Sequence, residues 1–132
     1  MTADEINSIC KKYGIKNYTI NTDGTIDVDG DVHLSENGLT KLPLKFGKVT
    51  GDFFCAFNQL NSLEGSPHWV GIDFNCNDNN LKSLEGGPEI VIGCYYCNSN
   101  NLVNFKGFPE DYDGYSDFYG NPVYKLFGKK IP

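Results

Sequence analysis

Two cysteines stand three residues apart at Cys94-Tyr95-Tyr96-Cys97, a spacing that on a turn binds zinc or runs disulfide exchange. No second cysteine pair or nearby histidine completes four ligands, and the segment reads as a strand. Residues three apart in a strand point to opposite faces, so Cys97 is expected in the core and Cys94 on the open side. Asp23, Asp27, Asp29 and Asp31 offer the oxygen ligands that hard cations take. Their glycines are misplaced for an EF-hand and the distal bidentate Glu is missing, so they read as solvated turn acids. His33 and His68 carry imidazoles suited to base or ligand chemistry, yet no nucleophile is held beside either by a recognisable motif. Phosphate-binding glycine loops, dinucleotide fingerprints and nucleophile elbows are also missing from the sequence. The expectation is a non-catalytic chain that needs no cofactor or metal. A hydrolase or metal site around His33, Cys94 and the Asp residues is the least favoured alternative.

The elements that would position such groups follow from composition and spacing. The 132 residues fit one domain, and a hydrophobic fraction of 39% with 14% aromatics implies a core built from a few large side chains. Fifteen Gly and as many Asn imply frequent tight turns and exclude long helices throughout. Eleven Lys, no Arg and a net charge of -6 have the wrong sign for gripping phosphates by counterion release, so no nucleic acid partner is expected. No run approaches a membrane span, and the polar, acidic start shows no secretory signal. Five cysteines, an odd number, do not make a disulfide framework. A cytoplasmic setting is the simplest reading.

The chain repeats itself every 21 residues from Gly30 onward. Asn37, Asn58, Asn79, Asn100 and Asn121 form one column, followed two residues later by Leu39, Leu60, Leu81, Leu102 and Val123. Leu42, Leu63, Leu84, Phe105 and Leu126 form another apolar column. Upstream lie Val32, Phe53, Phe74 and Tyr95, and then Leu34, Cys55, Cys76, Cys97 and Phe118. Each unit reads apolar-x-apolar-x-x-Asn-x-Leu-x-x-Leu, a short strand that turns sharply into a return arm. This pattern resembles the leucine-rich repeat in its short bacterial form. The stretch from Gly51 to Pro67 is similar to repeats of phage and bacterial proteins. The resemblance implies a solenoid with one parallel sheet of about five strands, mostly irregular return arms, and an N-terminal capping helix and hairpin.

Four units are expected over 30–113, with a cap over 1–29 and a partial unit with a C-terminal cap over 114–132. Thr2 and Glu5 make a capping-box pattern, and Ile6, Ile9, Cys10 and Tyr13 share one helical face before Gly14, which predicts a helix over about 3–13. Asn21-Thr22-Asp23-Gly24 between two β-rich runs predicts a hairpin over about 17–28. At the other end Val123, Leu126, Phe127 and Ile131 are expected to seal the last coil, with Lys125, Lys129 and Lys130 keeping it soluble. The Asn column is expected at the strand ends, its amides linking adjacent coils.

Period-two alternation leaves three columns facing outward. They are Asp31, Asp52, Asp73, Cys94 and Tyr115; His33, Phe54, Asn75, Tyr96 and Asp117; and Ser35, Ala56, Asn77, Asn98 and Tyr119. Phe57 sits at the edge of this face, and Trp69 is ambiguous between core and surface. Like charges on neighbouring strands repel, so the Asp column points to a use, and exposed Tyr and Phe are typical of interfaces. The alternative is that the aromatics only stack sideways. The expected function is a non-catalytic interaction module that docks a protein with a basic surface. The phage-like resemblance implies that such a partner is a host protein, including a defence component, that is inhibited or redirected. Self-association through the face or an uncapped edge is the alternative.

Overall fold

The fold was obtained as a computed structural model and is described for residues 1–127. It is a β-solenoid of about four coils with a spacing near 21 residues. Helix α1 spans Ala3–Lys12; Thr2 at its N-cap accepts from the Glu5 N–H while the Glu5 carboxylate accepts from the Thr2 N–H, closing both ends of the capping box. Gly14, with φ 67°, turns the chain out of the helix. Strands β1 (Tyr18–Ile20) and β2 (Ile26–Val28) form an antiparallel hairpin.

From there the coils alternate between two sheets. The front sheet contains β3 (Val32–His33), β5 (Phe53–Phe54), β7 (Phe74–Asn75), β9 (Tyr95–Tyr96) and β10 (Ser116–Asp117). All of its strands are parallel and in register, and its order is β10-β9-β7-β5-β3. The return sheet runs β1-β2-β4-β6-β8, with β4 at Phe46–Val49, β6 at Trp69–Val70 and β8 at Ile90–Val91. This corrects the expectation of mostly irregular return arms. Val28, Val49, Val70 and Val91 form a buried column at the same 21-residue spacing, and β-branched residues buried at equivalent positions pair as strands.

The core lies between these sheets. Phe53, Phe74 and Tyr95 are fully buried, with ring centroids 5.8 and 5.0 Å apart along the solenoid axis. Phe46 of the return sheet meets Phe53 edge-on at 5.0 Å. Cys55, Cys76 and Cys97 line the next column at 0% exposure, beside Leu60, Leu81 and Leu102. Ala56 is also buried, at 3%, so its expected outward position is corrected. The strand ends at Phe54, so alternation no longer holds at Ala56, whose carbonyl accepts from the Glu36 N–H and Asn58 Nδ2 as the chain turns.

Between coils, Asn side chains satisfy the backbone that the turn frees. Asn100 Nδ2 donates to the carbonyls of Cys97 in its own coil and Cys76 in the preceding one, at 3.2 and 3.1 Å, and its Oδ1 accepts from the Leu81 N–H at 3.0 Å. Asn58, Asn79 and Asn121 repeat the pattern. Helix α2 (Pro122–Phe127) follows β10, with Val123 buried and Lys125 exposed. The roles expected for the side chains of Leu126 and Phe127, and for Lys129, Lys130 and Ile131, lie outside the described residues.

Candidate interaction surface

Parallel register puts one residue of each coil at the same height, so His33, Phe54, Asn75, Tyr96 and Asp117 form a single row across the front sheet. Their neighbours in the strands point inward, which leaves His33 exposed and the other four half-buried. One ring contact lies within the row and another joins it to the neighbouring Asp31-to-Tyr115 column. His33 and Phe54 are 5.4 Å apart, and Tyr96 lies 6.0 Å from Tyr115. Tyr115 and Tyr119 remain 60% and 66% exposed, so sideways stacking covers only part of this aromatic area.

Phe57 carries a further signal. Glu36, Phe57, Asp78, Ser99 and Gly120 occupy equivalent positions, and all have positive φ, with Phe57 at 52°. Short polar residues and glycine suit that conformation, whereas a bulky side chain costs about 1 kcal/mol or more there. Phe57 is 54% exposed, so core burial does not offset the strain. Sequence reading placed Phe57 at the edge of the face without seeing the strain, although the column Glu, Phe, Asp, Ser, Gly already makes Phe the odd member.

The Asp column has an internal task that sequence reading did not assign. Asp31 Oδ1 accepts the Asp52 N–H at 2.7 Å, Asp52 Oδ1 the Asp73 N–H at 3.0 Å, and Asp73 Oδ1 the Cys94 N–H at 2.8 Å. Asp27 does the same for the Lys48 N–H at 2.9 Å. Each carboxylate therefore closes the corner into the following coil, and the repulsion along the column is offset by charge-assisted bonds. Gly51 is needed for this approach, because a Cβ there would stand 2.1 Å from Asp31 Oδ1. His33 Nε2 lies 3.9 Å from Asp31 Oδ2, so the second carboxylate oxygen faces the open row.

The remaining chemistry is muted by burial. Desolvation holds the Cys55 thiol up at about 12 and pushes Cys76, Cys97 and the Tyr95 hydroxyl well above their ordinary values. Cys94 is half-exposed while Cys97 is buried, on opposite sides as alternation requires. Tyr96 is raised chiefly by its hydrogen bonding with the Cys94 thiol, with smaller effects from desolvation and nearby Asp73. Among the described residues no three His, Cys, Asp or Glu side chains converge as metal ligands, and no helix is long and apolar enough to cross a membrane.

A second apolar area was not anticipated. Trp69 is half-buried on the outer side of the return sheet, with the Lys48 ammonium 4.3 Å from its ring centroid. Ile72, Ile90 and Ile92 near it are 48%, 49% and 62% exposed. The Val column would have revealed this sheet and hence its outer residues.

Comparison of the chain with protein-family models, curated proteins and solved structures returns no match.

Proposed function

We propose that the chain is a non-catalytic protein-interaction module whose front sheet docks a partner protein. One observation carries this reading: Phe57 is held exposed in a strained backbone conformation beside a register-aligned row containing Phe54 and Tyr96. Strain kept where packing gains nothing points to use. Tyr115, Tyr119 and Asp117 extend the contact area, and His33, Asn75 and the outer oxygens of Asp31, Asp52 and Asp73 supply its polar rim. An acidic rim favours a partner with a basic surface.

Within the same reading the repeats are of the short leucine-rich type, and helix α1 with the β1-β2 hairpin caps the first coil. The Asn ladder and the repeating apolar columns support that assignment. Similarity of the repeats to phage and bacterial ones favours a host protein as the target, a defence component among them. Binding in the host cytoplasm would inhibit or redirect it.

The test compares capture from bacterial lysate by the tagged wild type and by the Phe54→Lys/Tyr96→Lys variant, read by mass spectrometry. Circular dichroism establishes that both are folded. A protein recovered by the wild type and lost from the double variant supports the surface. Equal recovery by both overturns it.

A further inference from the structure

The return sheet stops one strand early. In each earlier coil the return-arm carbonyls accept from the next coil: Gly47 from the His68 N–H at 2.9 Å, His68 from Ile90 at 3.1 Å, Val49 from Gly71 at 2.9 Å and Val70 from Ile92 at 3.0 Å. The equivalent carbonyls are those of Glu89, just before β8, and Val91 within it, and among the described residues no backbone N–H of the following coil reaches either. The sheet order accordingly ends at β8.

The cause is local. Where the preceding coil has Ile90-Val91, the next has Asp111-Tyr112, and Asp is disfavoured in strands. The Tyr112 ring, half-buried against Tyr95 and Phe108, brings its hydroxyl 2.7 Å from the Gly93 carbonyl. In earlier coils the matching carbonyls of Gly30, Gly51 and Ile72 accept a backbone N–H instead. The segment from Phe108 to Asp113 therefore adds no strand to β8, and an open groove of about 1190 Å³ is lined by residues of both.

That groove has a definite chemistry. Glu89, Glu110, Asp111 and Asp113 line it, no lysine among the described residues does, and Ile90 and Ile92 form part of its wall. All four carboxylates belong to exposed residues.

We infer that the β8 edge is a strand-addition site for an extended peptide bearing Lys or Arg residues, which lies parallel to β8 and supplies the missing strand. Its N–H groups donate to the Glu89 and Val91 carbonyls, in the manner of main-chain recognition at open sheet edges. Its cationic side chains meet the four carboxylates, and its apolar ones cover Ile90. A second copy of this chain is the poorer occupant, because the net charge of -6 opposes a like-charged partner entering an acidic groove. The site is separate from the front-sheet row, so either surface can fail without the other.

The probe is a fluorescein-labelled Lys-Val-Lys-Val-Lys-Val-Lys peptide, titrated with the full chain at low salt and followed by anisotropy. The expected result is saturable binding that weakens about ten-fold or more when alternate peptide nitrogens are methylated, and again in Glu89→Lys/Glu110→Lys. Both substituted side chains are exposed, and circular dichroism verifies the fold. Amide shifts on binding should concentrate at residues 89–93 and 108–113. Phe54→Lys/Tyr96→Lys should bind the peptide as the wild type does. Absence of binding, indifference to methylation, or loss in the front-sheet variant overturns the assignment. Sedimentation showing a dimer that the peptide does not displace overturns it too, by giving the edge to a second copy.

Discussion

Replacing Asn100 by Ala tests the hydrogen-bond logic of the solenoid, because the same residue type recurs in the column with different burial. Asn100 is 6% exposed and makes four bonds to backbone groups of two coils, at 3.0, 3.1, 3.2 and 3.3 Å. Its loss leaves the Leu81 N–H in the interior without an acceptor, which costs about 1–3 kcal/mol, and forfeits three further bonds, two of them long and shared by one amide, worth about 0.5 kcal/mol each. The expected total is about 3 kcal/mol, or a fall in Tm of about 10 °C for a chain of this size. Asn37 heads the column, is exposed, and donates from its side chain only to the Ser35 carbonyl, so Asn37→Ala should cost less than about 1 kcal/mol. Urea titration of both variants measures the difference. Asn100→Asp adds a pH signature. An aspartate can still accept from Leu81 but turns an oxygen toward the Cys76 and Cys97 carbonyls, which disfavours its charged form. Its folded pKa then exceeds the unfolded value of about 3.9. Stability is fully retained below that value and lost as pH rises through the folded pKa. The variant should therefore be weaker at pH 7 than at pH 4, relative to wild type at each pH. Equal penalties for Asn37→Ala and Asn100→Ala, or a pH-independent Asn100→Asp, would refute the reasoning.

Four other outcomes can be measured on the same protein. The Tyr95 hydroxyl is buried without a hydrogen-bond partner among the described residues, so Tyr95→Phe should raise stability by about 1–2 kcal/mol in urea, and a loss would contradict that burial. Of the five thiols only Cys94 is half-exposed, and Ellman's reagent should label it alone until urea is added. With Cys55 held at about 12, its contribution to stability is complete below the unfolded value of about 8.5 and is lost as pH rises toward 12. Cys55→Ala should accordingly flatten the alkaline decline by about 1.4 kcal/mol per pH unit in that window. Asp52→Asn keeps an oxygen for the Asp73 N–H and should stay within about 0.5 kcal/mol of wild type, whereas Asp52→Ala should lose about 1 kcal/mol; thermal melts distinguish the two.

The legible part of this protein is the part that repeats. The Asn, Leu and aromatic columns define the coil length, the inward face and the order of strands in the front sheet, and side-chain alternation places the row from His33 to Asp117 correctly on the outside. The hairpin and first helix are readable because capping and turn residues act locally, as Thr2, Glu5 and Asn21 to Gly24 do. The return sheet escapes that reading because its strands are two to four residues long, too short for a period to declare itself within one coil. Only the comparison of Val28, Val49, Val70 and Val91 across coils exposes it.

The sequence by itself determined a 21-residue solenoid, its core columns and the set of side chains available to its open face. The tertiary structure alone decided what those side chains are free to do. Asp31, Asp52 and Asp73 read as exposed charge held for a basic partner until the next coil brings a backbone N–H within 3.0 Å of each. Phe57 reads as an edge residue until its positive φ is known, and Glu89 and Val91 read as ordinary strand until the following coil turns away. The physical reason is common to all three. Local pattern reports what a residue prefers, but hydrogen-bond satisfaction and backbone strain depend on a neighbour 21 residues away, and that neighbour exists only when the coils are stacked.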